Sequence, residues 1–190
     1  MSDETLEDTA QIDQSEQNAF LLFRLCNEND IDDVKTLLPF LSLDEINCRH
    51  KYRGPPGASF LPVTACFIAV FNGHLEIVKL LLEAGCNFNI GTQYLGTPLH
   101  AACASGNLEM TKLLVKAGAD LYNTTGTYGR TPFHSAIFNG QLTVVKYLLE
   151  CGYDIHYLGP SGYSNLAYAS MKNQPAIVEF LLIAELNLLS

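Results

Sequence analysis

TPLHAACASGNLEMTKLLVKAGAD, residues 97–120, decides the fold of this chain. The Thr97 hydroxyl can cap a helix, and Pro98 is tolerated at a first helical position, where no backbone donor is needed. The helix they open lasts about two turns and ends near Gly106, a residue that takes a left-handed conformation without a side-chain clash. A second helix follows and stops at Gly118, and a short polar link leads on. Neither helix is long enough to stand alone in water, so the pair must be buried against neighbours.

The neighbours are copies of itself. TACFIAVFNGHLEIVKLLLEAG from Thr64, TPFHSAIFNGQLTVVKYLLECG from Thr131 and SNLAYASMKNQPAIVEFLLIAE from Ser164 align with the segment from Thr97, and the four starts are spaced by 33, 34 and 33 residues. Leu75, Ile77, Val78, Leu81 and Leu82 show the helical spacing of the second helix. A degenerate copy, FLLFRLCNENDIDDVKTLLPFL, begins at Phe20, 44 residues before the next, so roughly 11 extra residues separate the first two copies. Stacked copies bury one continuous core.

The array resembles the ankyrin-repeat family over about residues 19–188. The resemblance implies an all-α solenoid of about five helix-turn-helix repeats with hairpin-like loops: about 19–59 with the loop expansion, 60–92, 93–126, 127–159 and 160–190. Departures fall where end repeats are expected to be atypical: Thr64-Ala65-Cys66-Phe67 replaces the Thr-Pro-Leu-His tetrapeptide, Ser164-Asn165-Leu166-Ala167 opens the last repeat, and Asn173 and Glu185 replace its two glycines.

Charge divides the chain. The 190 residues carry 11 Lys plus Arg against 20 Asp plus Glu, a net of −9. Asp3, Glu4, Glu7, Asp8, Asp13 and Glu16 lie in residues 1–18, which hold no base. This stretch reads as a disordered acidic tail before the repeat domain of residues 19–190. Nucleic acid and anionic membrane surfaces, which need clustered Lys and Arg, are disfavoured as partners. The start lacks the positive and apolar regions of a signal peptide, and no apolar run reaches a membrane span. The expectation is a cytoplasmic or nuclear protein with its six cysteines reduced.

Nothing in the pattern signals catalysis, a cofactor or a metal. His100 and His134 hold the histidine place of the family tetrapeptide, where the resemblance implies a hydrogen bond to the loops of adjacent repeats. Cys66, Cys86, Cys103 and Cys151 occupy repeat positions, and no C-x-x-C pair or H-x-x-x-H spacing occurs. The glycines recur at the repeat period rather than in a phosphate loop.

By resemblance, the recognition surfaces are the loop tips and the concave face lined by the first helices. The partner-binding residues assigned there are Phe71, Asn72, Tyr94, Tyr128, Arg130, Phe138, Asn139, Tyr163 and Met171. Aromatic residues and Arg are favoured in desolvated hot spots, and Ala104-Ser105 between Phe71 and Phe138 would leave a depression flanked by rings. The competing reading packs Phe71 and Phe138 on neighbouring helices. Arg49, His50, Lys51 and Arg53 beside Gly54-Pro55-Pro56-Gly57 make the loop expansion a basic cluster, a second candidate for an acidic peptide or for the chain's own tail.

The expected function is a non-catalytic protein–protein interaction module, an adaptor or scaffold that binds another protein or a short peptide. Two alternatives stand beside it. Residues 121–155 resemble the ankyrin domain of the feminization-type substrate receptors of cullin ubiquitin ligases, and a free-standing ankyrin protein could also act as a pathogen effector that occupies a host protein. Asn89 resembles ankyrin loop positions that are hydroxylated. The dense apolar end, Val178 to Leu189, points to self-association or a continuing array.

Overall fold

The structure, a computed structural model, describes residues 4–53, 60–126 and 129–188. Among them are eleven α-helices and one two-stranded sheet, an all-α repeat fold of the solenoid class. The chain divides into two compact units, one ending at Ile90 and one beginning at Gly91.

The first unit opens with α1 (Glu4–Glu28). Residues 4–18, read from the sequence as an acidic tail, are the first part of that helix, and residues 1–3 lie outside the described residues. The physical reason is local. Glu, Gln and Ala are good helix formers. The other end is anchored by burial of Ala19, Leu22, Phe23, Leu25 and Cys26. Asn29 ends the helix at φ 63, the left-handed conformation that glycine takes in later repeats.

Asp30 caps α2 (Ile31–Leu37) by accepting from the Asp33 backbone N–H at 3.1 Å. A 3₁₀ turn, Leu38–Phe40, leads to α3 (Leu43–Ile46), where Ser42 and Glu45 cap each other's backbone. The Asn18 carboxamide donates to Glu45 at 3.1 Å and ties α1 to α3.

The loop expansion is an antiparallel hairpin, β1 (Arg49–Arg53) with β2 (Phe60–Thr64), in the register Arg49↔Thr64 to Arg53↔Phe60. Gly54-Pro55-Pro56-Gly57 lies outside the described residues. Strand alternation splits the basic cluster. Arg49 and Lys51 are exposed, while His50 packs against the rings of Phe20 and Phe23, centroids 5.9 and 5.3 Å away. Burial pushes the His50 pKa down.

Thr64 ends β2 and caps α4 (Ala65–Phe71), its hydroxyl accepting from the Phe67 backbone N–H at 3.1 Å. The cap therefore survives the loss of the Thr-Pro-Leu-His tetrapeptide. Ala65 through Val70 are all buried, and α4 packs on α1. α5 (Leu75–Glu83) buries Ile77, Val78 and Leu81, one face at helical spacing.

The second unit holds three repeats of paired helices: α6 (Pro98–Ser105) with α7 (Leu108–Lys116), α8 (Pro132–Phe138) with α9 (Leu142–Glu150), and α10 (Asn165–Met171) with α11 (Pro175–Leu188). The first helices pack in the order α6, α8, α10, and the second helices in the order α7, α9, α11. Leu99, Ala102, Cys103, Met110, Leu114, Phe133, Ala136, Ile137, Val144, Val145, Leu148, Ile177 and Leu181 fill the core. α6 and α8 end in left-handed glycines, Gly106 (φ 75) and Gly140 (φ 73), and α10 reaches the same conformation with Asn173 (φ 52). The outer side of α11 leaves Leu182, Ile183 and Leu186 exposed. All six cysteines are free thiols.

Candidate functional site

The site is built on two histidines that hydrogen-bond the openings of their own helices. In the third helix position of α6, His100 Nδ1 accepts from the Thr97 backbone N–H at 3.0 Å and lies 2.8 Å from the Thr97 hydroxyl. With Nδ1 accepting, Nε2 carries the proton and donates to the Arg130 carbonyl at 2.8 Å. One ring thus caps its own helix and holds the loop of the next repeat. In α8, His134 Nδ1 repeats the pattern with Thr131, at 3.2 Å from its N–H and 3.0 Å from its hydroxyl. The His134 ring packs on Tyr168 at 4.5 Å. Burial lowers both pKa values, that of His134 to about 4, so both rings are neutral near neutral pH.

The loops held this way carry the surface. Thr92 and Gly96 bridge across a tight tip that exposes Tyr94 and Leu95. Gly126 packs on the backbone of that tip, and Gly129 packs on Pro160 of the following one. Tyr163 is exposed beside Tyr168, ring to ring at 6.0 Å, and Ser161 meets the Tyr168 hydroxyl at 2.9 Å. A cavity of about 80 Å³ opens between the tips, lined by Tyr94, Leu95, His100, Thr125, Arg130 and Ser135.

Beside this cavity two cations share one ring. The Arg130 guanidinium carbon lies 4.2 Å from the Phe138 centroid, and Lys172 Nζ lies 3.8 Å from it. Each contact is attractive because the face of an aromatic ring is electron-rich. Phe138 and Arg130 are half-buried, and Lys172 is exposed. Met171, next to Lys172 at the end of α10, is 62% exposed. Asn139 is exposed, with its amide donating to the Ser135 carbonyl at 2.8 Å.

Of the nine residues expected from the sequence, six lie in the second unit among the described residues: Tyr94, Arg130, Phe138, Asn139, Tyr163 and Met171. Arg130 and Phe138 are in direct contact. Tyr128 lies outside the described residues. Phe71 and Asn72 belong to the first unit. Phe71 is 44% exposed and stacks on Phe67 at 6.1 Å, while the Asn72 amide donates to Asn27 at 3.1 Å and so ties α4 to α1. The sequence reading places Lys172 beside Met171 among the concave-side positions, although the nine residues do not include it. Its signal was available in the register, since Lys172 stands in its repeat where Asn139 stands in the one before.

Among the described residues, no group of three or more His, Cys, Asp or Glu side chains could hold a metal ion, and no helix is long and apolar enough to cross a membrane. A family model described as ankyrin repeats (3 copies) matches the chain over residues 22–125, 66–159 and 122–189. A comparison with curated proteins gives no match.

Proposed function

The chain belongs to the ankyrin-repeat family, whose members are generally protein–protein interaction modules, and we propose that it acts as a non-catalytic adaptor or scaffold in the cytoplasm or nucleus. Its partner, another protein or a short peptide, docks on the loop tips and first-helix ends of the second unit. The observation that carries this reading is the set of exposed large side chains Tyr94, Leu95, Tyr163 and Met171, with Tyr94 and Leu95 on a tip that runs into the Thr97–His100 cap. Large side chains on a rigid frame lose little freedom on binding, and aromatic anchors favour hot spots. Phe71 is a separate exposed ring of the first unit and is tested beside them.

The test is quantitative affinity capture with wild type, Phe71→Ala, Phe138→Ala and the double variant, alongside their thermal stability. Loss of captured partners in the variants carrying Phe138→Ala, with the melting temperature nearly unchanged, supports the reading. Undiminished capture contradicts it, and a large loss of stability returns these rings to a packing role.

A further inference from the structure

The hairpin of the first unit has two unlike edges. By strand alternation Leu61 and Val63, both buried, share the face of His50, which packs on α1. Arg49, Lys51 and Pro62 are exposed. Pro62 is the partner of Lys51 in the register. It has no N–H, so a hydrogen-bonded pair there would leave the Lys51 carbonyl without its donor. The ladder bonds therefore run through His50↔Val63 and Tyr52↔Leu61. The backbone groups of Arg49, Lys51 and Arg53 then point away from β2, and those of Phe60, Pro62 and Thr64 point away from β1. On β2 this outward row is broken by Pro62, and Thr64 leads straight into α4. On β1 every residue of the row keeps its N–H. Among the described residues no third strand pairs with it, and the Cys48 thiol reaches the Arg49 carbonyl only at 4.0 Å.

An unpaired strand edge is a template for another strand. The charges on this edge choose which. Arg49 and Lys51 stand two residues apart on one face, roughly 7 Å along the strand, the repeat at which an added strand presents alternate side chains. The ion pairs among the described residues, Arg24–Glu28 and Lys79–Glu76, lie elsewhere. A second copy of β1 laid along the edge would set like charges beside each other, which destabilises pairing, whereas acids at alternate positions would be drawn in. The chain's own acids in residues 4–18 are held in α1, so they do not supply an extended strand. A nucleic-acid backbone is held by larger basic clusters.

We propose that the outer edge of β1 is a second docking site, which takes an extended segment of a partner protein as an added strand, with Asp or Glu at alternate positions beside Arg49 and Lys51. The site belongs to the first unit and does not depend on the tips of the second.

The test is a display library of random 12-residue peptides, depleted on the full chain carrying Arg49→Glu and Lys51→Glu and then selected on wild type. Depletion discards peptides held by the second unit. Both positions are exposed, so the melting temperature of the variant should match wild type; if charge reversal lowers it, Arg49→Gln with Lys51→Gln takes its place. The expected survivors carry Asp or Glu at alternate positions. A fluorescent survivor should bind about tenfold more weakly to the Arg49→Gln, Lys51→Gln chain and equally well to Phe138→Ala. N-methylation of its backbone, one residue at a time, should abolish binding at alternate residues and be tolerated between them, because only every second N–H of an added strand faces β1. No survivors, or survivors that tolerate N-methylation at every position, would overturn the proposal. Displacement of the peptide by a single-stranded oligonucleotide at comparable concentration would also overturn it, assigning the edge to nucleic acid.

Discussion

A single histidine shows how the frame is held and when it fails. The His134 pKa is pushed down to about 4 by burial; the Asn165 side chain opposes this, and the positive charge of Arg130, with that of His100 once it is protonated, adds to it. In the unfolded chain the same imidazole titrates near about 6.5. Between those values the unfolded state takes up a proton that the folded state refuses, so stability present above pH 6.5 is lost as pH falls toward 4. The shift sets a loss on the order of 3 kcal/mol. Denaturant midpoints measured from pH 7.5 to 4.5 should fall with pH in wild type and fall less steeply in His134→Gln, which starts from a lower value because its cap to Thr131 is gone. Glycines give a second residue-scale contrast. Gly106 (φ 75) and Gly118 (φ 92) both sit in the left-handed region, but a Cβ at Gly106 runs into the Gln141 carboxamide while one at Gly118 meets open space. Gly118→Ala should cost about 1–2 kcal/mol for its backbone alone, and Gly106→Ala that amount plus the loss of the Gln141 bond to the Ala104 carbonyl, read from thermal or denaturant melts.

Within one element, α8, the two phenylalanines separate structure from recognition. Phe133 is fully buried and stacks on Tyr153 at 4.2 Å, whereas Phe138 at the other end is half-buried, its ring in contact with Arg130 and Lys172. Phe133→Ala should therefore cost about 3–5 kcal/mol, while Phe138→Ala should leave the melt nearly in place and show its effect in binding. The helix pairs themselves were legible in the sequence, because Thr-Pro openings, glycine stops and apolar spacing are all local signals. The hairpin β1–β2 was not: its strands are five residues each, and their pairing is a long-range event that no period announces. Nor was α1, whose first part has the composition of a solvated tail and yet also the residues of a good helix. The place of Lys172 on the concave side was legible from the register, but its contact with a ring of the previous repeat was not, because a lysine at a helix end looks like ordinary solvated charge.

For the whole molecule, the net charge of −9 is a poor guide to what binds it. Six of those charges belong to residues 1–18, and in the second unit the acids lie on the second helices or within four residues of their ends. A protein acidic in sum thus offers one of its faces as mildly basic and aromatic. The same division of labour runs through the repeats: second helices bury apolar faces and carry the acids, and first helices and tips carry the candidate contacts. The most direct measurement of that claim is backbone hydrogen exchange of the full chain with and without a captured partner. The account predicts new protection in the tip around Tyr94, from Thr125 to Asn139 and from Ser161 to Lys172, with α7 and α9 unchanged. Protection concentrated on α7 and α9, with the tips and first helices unaffected, would contradict it.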